Sequence, residues 1–403
     1  MKRLIWLGCW SYLLIGLAHV VVGSLMPNLL EQYGKDYSAG GSLIFAQFAG
    51  FLVGVLVSPL LLAKFGKIYG LLIATGMLCF AEVCYSLLPP WEWMYAIGAV
   101  AGFGFGMIEA VIGTIILVAV TEGTAVAMSR LEVFFGLGAL LMPVAAGFFI
   151  RAEVWRFSFL IVAGLAFVML FAWGRGNFGE FRGVLHAKGK QQDKQGGWLK
   201  QYQGIRGLLL AVFIVFFFFY VGTEMSFVNF LPSLLIEKLG LDKPSAAFSV
   251  TLFWIAMTCG RLVAGTLAEK ISYSRYVLWS CIVSFVLIAL FSLTGGKAVT
   301  YILILLFGLF MSGLFSIALV FANKLLVGAE ESTPSLLIAS GGVGGAVLPL
   351  IMGKTMDLGG AHASSWLLAG FLMLLALLSI IAVLIQRSRG SALAAAASAE
   401  SNG

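Results

Sequence analysis

Four ionisable residues stand out inside stretches otherwise apolar enough to lie in a bilayer: His19, Glu109, Glu132 and Glu224. A charge at bilayer depth costs roughly 3 kcal/mol or more, so such residues are functional candidates by default. Glu109, in "GFGFGMIEAVIG", has no basic residue in its run. A carboxyl held there can load and release a proton, which is the chemistry of a proton-coupled carrier. The other reading is a structural hydrogen bond from a permanently protonated acid. Glu224 stands mid-run in "YVGTEMSFVNFLP", ahead of Asn229. That spacing is nearly a turn and a half, so the two side chains share one target only if the helix breaks near Pro232. His19 lies at matching depth in the first run. It suits pairing with a carboxyl across a cavity and hydrogen-bonded packing equally. Glu109, His19 and Glu224 are therefore the proton-coupling candidates.

A second set could hold a solute. Glu132 follows Arg130 near the start of its run and reads equally as a helix-end charge at the interface or as a cavity group. Gln47, Asn229, Trp254 and Asn323 add amides and an aromatic plate. Amides pair with hydroxyls, and a ring packs on the apolar face of a pyranose. Trp254 reads equally as packing, and Asn323 is near enough to a helix end to belong there. No cluster has metal-ligand spacing. The five cysteines (Cys9, Cys79, Cys84, Cys259, Cys281) fall inside apolar runs and read as small packing residues.

The elements that must position these groups are membrane helices. Of 403 residues, 61% are hydrophobic and 11% charged, too few charges to cover a water-facing surface of this size. Spanning runs fall at 4–26, 41–63, 68–88, 93–119, 129–150, 157–174, 207–231, 246–268, 276–294, 299–322, 333–356 and 364–386. The expected fold class is an all-α membrane protein of 12 spans in two six-helix bundles related by pseudo-two-fold symmetry. The bundles cover 1–174 and 207–387. A polar cytoplasmic linker at 175–206 joins them, and a disordered tail is expected at 388–403. The net charge of +7 comes from bases between the runs, where topology signals lie, so it does not imply a nucleic-acid partner. Most of the 25 Lys and Arg fall on one side, which puts both termini in the cytoplasm of a multi-pass cell-membrane protein. The first run shows no convincing cleavage site and reads as an uncleaved helix.

The halves repeat each other. Glu31 and Glu237, Gly34 and Gly240, Gly54 and Gly260, Lys64 and Lys270, and Pro143 and Pro349 are each 206 apart, and Pro27 and Pro232 are 205 apart. A constant offset at separated landmarks implies duplication of a six-helix unit. Carriers built this way bind solute between the repeats and rock one half against the other. "GLGALLMP" and "GGVGGAVLP" take matched positions in the fifth and eleventh spans, where small residues and proline permit close crossing and bending.

The loop after the second span, from Gly54 to Gly66-Lys67, and that after the eighth, "GRLVAGTLAEKISYSR", resemble the cytoplasmic motif of the major facilitator superfamily. Its gating candidates are Gly54, Lys64, Gly66, Lys67, Gly260, Arg261, Glu269, Lys270 and Arg275. Glycines let helices approach, and the acid and bases latch helix ends in one access state. The second copy keeps its acid, Glu269, whereas the first has Ala63. The alternative is a positive-inside loop without gating. "SRLEVFFGLGALLMP", "GTEMSFVNFLPSLL", "TLFWIAMTCGRL" and "LLIASGGVGGAVLP" resemble the glucose/mannose:proton symporters of the fucose-permease branch of that superfamily. The resemblance implies proton-coupled uptake of a monosaccharide, a hexose such as glucose or mannose. With no nucleotide-binding glycine loop or metal cluster in the sequence, a monomeric carrier that is not an enzyme and needs no cofactor is expected. Its expected partners are the sugar, protons and the bilayer. Glu109 then takes the place of the branch's fourth-helix coupling acid, while the first-helix acid falls on Gly23. The competing function is a drug or metabolite:proton antiporter. Such exporters tend to carry a complete first motif, a base in the fourth span and a Gly-Pro pair in the fifth. This chain has Ala63, Glu109 and Met142-Pro143 there. Primary active transport is disfavoured, because no "GxxxxGK[ST]" loop is present.

Overall fold

The structure, a computed structural model, describes residues 2–119, 124–175, 204–326 and 333–401. Among these the chain is helical throughout. The elements are α1 (Lys2–Ser24), α2 (Met26–Tyr33), α3 (Tyr37–Phe65), α4 (Lys67–Ser86), α5 (Trp91–Ala119), α6 (Thr124–Arg151) and α7 (Phe157–Gly174) in the first half. The second half has α8 (Ile205–Leu239), α9 (Lys243–Ile271), α10 (Tyr273–Leu293), α11 (Lys297–Met311), α12 (Leu314–Leu325) and α13 (Thr333–Ser401). The last apolar stretch, Leu336–Arg387, has 52 residues. A helix of that length runs about 78 Å, more than twice the hydrocarbon thickness. It makes two crossings that turn at Gly360 (φ 62°, ψ −163°), a conformation open to glycine. With α1 and α2, and α11 and α12, each forming one span, the described helices amount to twelve crossings. The expected linker lies almost wholly outside the described residues, as do the side chains of the tail.

Within the first half α1 packs on α6, α3 on α5, and α4 on both α5 and α7. Within the second, α8 packs on α13, α9 on α11, and α10 on α11 and α13. The halves are joined chiefly by α6 with α9, α3 with α13, and α1 and α2 with α8.

The duplication holds in local detail. Gly34 and Gly240 close α2 and α8 in the same left-handed conformation (φ 57° and 61°). Asp36 and Asp242, also 206 apart, cap α3 and α9, accepting from Ala39 N at 2.8 Å and Ser245 N at 3.4 Å. The turns into α4 and α10 share φ 85° at Gly66 and 86° at Ser272. Lipid gives helices no hydrophobic reason to associate, so close backbone approach must supply the packing. A Cβ on Gly102 of α5 would strike the backbone of Gln47 in α3. One repeat later, a Cβ on Gly308 of α11 would strike the backbone of Phe253 in α9, at the equivalent position. The same crossing is thus built twice.

Three features depart from the runs read in sequence. The first span bends at Leu25 (φ −101°, ψ 2°) and continues to Tyr33. Pro27, which has no N–H to join a continuous ladder, lies just past the bend. The seventh span passes through Pro232 without a break, so the relaxation expected there is absent. Membrane helices tolerate an interior proline when neighbours satisfy the freed carbonyl. The tenth span, by contrast, breaks at Ser312-Gly313, between α11 and α12.

Replacing Gly102 by valine forces α3 and α5 apart. Overpacking of this kind costs about 1–3 kcal/mol, which should appear as a lower midpoint in thermal unfolding of the detergent-purified protein.

Candidate functional site

The bend in the first span and the unbroken α8 bring the two helices together on the pseudo-two-fold axis. The His19 imidazole and Met225 Sδ are 2.9 Å apart, and these residues are 206 apart in sequence. A thioether has no proton to give, so the ring donates from Nε2. One turn on, Gly23 lies against Asn229, again 206 later. Contacts between equivalent positions of a repeat can form only on the symmetry axis. The edges of Phe48, Phe105 and Phe135 enclose the His19 ring at centroid distances of 5.3, 5.7 and 5.6 Å. Thus the expected pairing of His19 with a carboxyl is not made. Its partners are a sulfur atom and three aromatic rings. The missing first-helix acid also has a steric reason, because Asn229 occupies the space that a side chain on Gly23 would need.

Around this axis lie buried polar atoms without partners. Gln47 donates to Ala18 O at 3.4 Å, leaving its own oxygen unpaired. Asn229 donates to Met225 O at 2.9 Å, and its oxygen is likewise unpaired. The Trp254 indole N–H and the Thr258 hydroxyl have no partner. The Trp254 ring meets Phe135 edge-on at 6.0 Å, and Thr258 sits opposite Gly136. Buried polar atoms are otherwise nearly always bonded. Gln47, Asn229 and Trp254 are each 1% exposed, in helices from both halves. Asn323 also has an unpaired oxygen, but it lies in α12, and no hydrogen bond or ring contact among the described residues joins it to this group.

A chain of charges runs beside these atoms. Glu109 of α5 and Glu132 of α6 lie close enough to repel, with Tyr12 of α1 in both their fields. Glu132 faces Arg261 of α9 across the gap between halves, with 4.0 Å between Oε2 and Nη1. Arg261 in turn attracts Glu224 of α8, which is in hydrogen-bonding contact with Tyr220. Glu132 is therefore not a helix-end charge turned to the membrane interface. It is on the wall between the halves, and its side chain is 54% exposed. Glu224 points to Tyr220 and Arg261 while Asn229 points to the axis, as their spacing on a continuous helix requires.

This placement corrects the gating assignment of Arg261. It lies roughly 12 Å along α9 from Glu269, inside the interface and away from the loop. Gly54 and Gly260 do make close crossings, against the backbone of Phe103 and against Leu309 and Ser312. Lys64 lies over the Phe65 ring at 5.2 Å, Gly66 forms the turn, and Lys67 is buried. Glu269, Lys270 and Arg275 are exposed. Among the described residues Glu269 forms no ion pair.

The opposite end of the bundle is closed, by groups that residue type alone did not mark. The Asp357 carboxylate at the end of the eleventh span accepts from Tyr37 N and Ser38 N, both at 2.7 Å, and from the Ser38 hydroxyl. One half thereby caps the orphan first-turn amides of a helix in the other, where the dipole also favours an anion. Glu31 pairs with Lys243 across the same seam, and the Tyr37 hydroxyl bonds Glu237. The halves meet firmly at this end, and solvent reaches Glu132 from the other. Another acid absent from the sequence candidates is Glu82 of α4. It is 0% exposed, with neither carboxyl oxygen bonded. An acid inside an apolar run was a visible signal, but no second polar group joins it to the site.

Comparisons agree with this architecture. The family model described as Major Facilitator Superfamily matches residues 8–333 and 212–401. The chain is 31% identical over 348 residues to the glucose/mannose transporter GlcP of Bacillus subtilis (strain 168), covering 85% of each sequence. Among solved structures it superposes on a point mutant of the nucleoside transporter NupG with a TM-score of 0.78 at 14% identity, covering 94% of this chain and 99% of that one. It also superposes on FucP in the outward conformation with a TM-score of 0.63 at 16% identity, covering 94% and 98%.

The Asp357 cap has a measurable consequence. Its removal in Asp357→Ala should weaken closure by roughly 1 kcal/mol, or about fivefold in population, given partial exposure. In a cysteine-free background, a cysteine placed at Asn28 should then react faster with a membrane-impermeant thiol reagent applied from that side.

Proposed function

Because the chain belongs to the major facilitator superfamily, we propose that it is a secondary active transporter carrying a hexose together with protons by alternating access. The observation that carries the substrate class is the set of unpaired buried atoms between the halves. The oxygens of Gln47 and Asn229 need donors, the Trp254 N–H needs an acceptor, and the Thr258 hydroxyl can serve as either. A sugar hydroxyl is both donor and acceptor, so a ring of hydroxyls satisfies all four. An apolar cation satisfies none and leaves their desolvation uncompensated. The GlcP resemblance supports the same class, with glucose and mannose as the first substrates to test.

Coupling is assigned to the carboxylates. Glu109 has no ion pair among the described residues, and it lies beside Glu132 and Tyr12. It can bind a proton without breaking a salt bridge. His19 is held by Met225 and the three rings on the axis, so its role in this reading is to shape the site. With both termini in the cytoplasm, as the distribution of Lys and Arg supports, the end sealed by Asp357 faces outward. The conformation is then inward-facing.

Purified protein in liposomes with an imposed inward proton gradient should accumulate labelled glucose or mannose. No uptake of any sugar across a hexose panel, together with proton-driven efflux of hydrophobic cations, would instead establish the antiporter. Glu109→Gln should abolish accumulation above equilibrium while sugar exchange between the two faces persists. Accumulation that survives this substitution removes Glu109 from the coupling step.

A further inference from the structure

We propose that Arg261 is the positioning residue that converts proton occupancy into contact between the halves, by exchanging Glu132 of one half for Glu224 of the other. This inference rests on the proton-coupled reading above. Arg261 is in α9, 30% exposed, with Glu132 of α6 at 4.0 Å on one side and Glu224 of α8 on the other. The groups facing it are Glu132 from α6 and Glu224 and Tyr220 from α8; Tyr276 of α10, which bonds toward Ser312 and Ser280, stands beside Tyr220. Behind Glu132 stand Glu109 of α5 and Tyr12 of α1. One cation therefore serves carboxyls on both sides of the moving interface.

The proton that drives this exchange is assigned to Glu224. Tyr220 donates its hydroxyl proton to Met311 O at 3.2 Å. The Glu224 carboxyl is a second acceptor within reach of the same hydroxyl, so Met311 O and Glu224 compete for one proton. With a proton on Glu224, the charge of Arg261 is directed at Glu132 across the gap. Met311 O is available because α11 ends there, at the break in the tenth span. When the Glu224 proton leaves to solvent, Glu224 becomes an anion and competes for the guanidinium from within its own half. The pull on Glu132 relaxes, and the two halves lose an attraction on the solvent-accessible side. In water such a pair contributes little, but in a desolvated interface the loss of one partner is felt strongly.

The test compares wild type with Arg261→Gln, Arg261→Lys and Glu132→Gln in proteoliposomes. Monodispersity in detergent is checked first. Arg261→Gln should lower proton-driven accumulation about tenfold or more, the size of an ordinary coupling free energy. Counterflow exchange should continue with KM little changed, and the pH profile of uptake should flatten. Arg261→Lys keeps the charge and should restore part of the accumulation and the pH dependence. In the double variant with Glu132→Gln, the two losses should be less than additive. Wild-type accumulation together with an unaltered pH profile in Arg261→Gln overturns this inference alone. Equal, additive losses in KM and maximal rate, with no rescue by lysine, would make Arg261 a structural residue and also overturn it. If wild type shows no proton-driven accumulation, the coupling reading and this inference fall together.

Discussion

Helices in lipid must find each other without a hydrophobic driving force, so the architecture depends on places where one backbone can touch another. Gly102 on Gln47 and Gly308 on Phe253 are two such places, and Gly138 on Leu13 in the first half has a near counterpart, one residue out of register, in Gly344 on Phe218 in the second. These crossings leave no volume for a side chain. They fix the lateral position of each helix and thereby the depth at which its polar residues emerge. Gln47 illustrates the consequence. The backbone that Gly102 rests on belongs to the same residue whose amide oxygen faces the axis unpaired. Packing and polar lining are set by one contact.

Much of this was legible in the sequence, because membrane helices announce themselves by length and composition and because the repeat carries a constant offset. The offset extends to features that residue identity hides. Gly66 and Ser272 share one conformation although one is glycine and the other is not. The site was legible in parts. Glu109 and Glu224 stood out as acids in apolar runs. Arg261 was misplaced because the string that contains it also contains Glu269 and Lys270. Helical rise, which a motif does not express, separates them in depth. The break at Ser312-Gly313 was hidden inside an uninterrupted apolar stretch. Asp357 was hidden for another reason. Its partners are backbone amides 319 and 320 residues away, and a backbone N–H has no residue code.

The two ends of the molecule use different physics for the same task. At the sealed end, charge meets the amide dipoles of a helix terminus and a lysine, in contacts that are partly exposed and geometrically close. At the other end, a single guanidinium lies at the limit of ion-pair distance from Glu132, with Glu224 also in its field. The first arrangement holds a state, and the second is the one we propose responds to a proton. The seam also departs from symmetry. The position one repeat before Asp357 is Arg151, which lies in the field of Asp242 at the cap of α9. Equivalent sites therefore carry opposite charge signs. One contributes an anion to its neighbour's helix, and the other contributes a cation to its neighbour's capping residue.

The axial contacts carry a different lesson, about partner choice between halves. In a two-fold dimer of identical units, each residue on the axis meets its own copy, so the pair must suit itself. Here His19 meets Met225, a donor opposite an acceptor, and Gly23 meets Asn229, a void opposite a side chain that fills it. Two first halves brought together would set imidazole against imidazole and leave a hole at each Gly23. Two second halves would drive asparagine into asparagine. Covalent fusion allowed the axial positions to diverge into a lock and its key, so each half carries at its centre a rule for recognising the other and refusing itself.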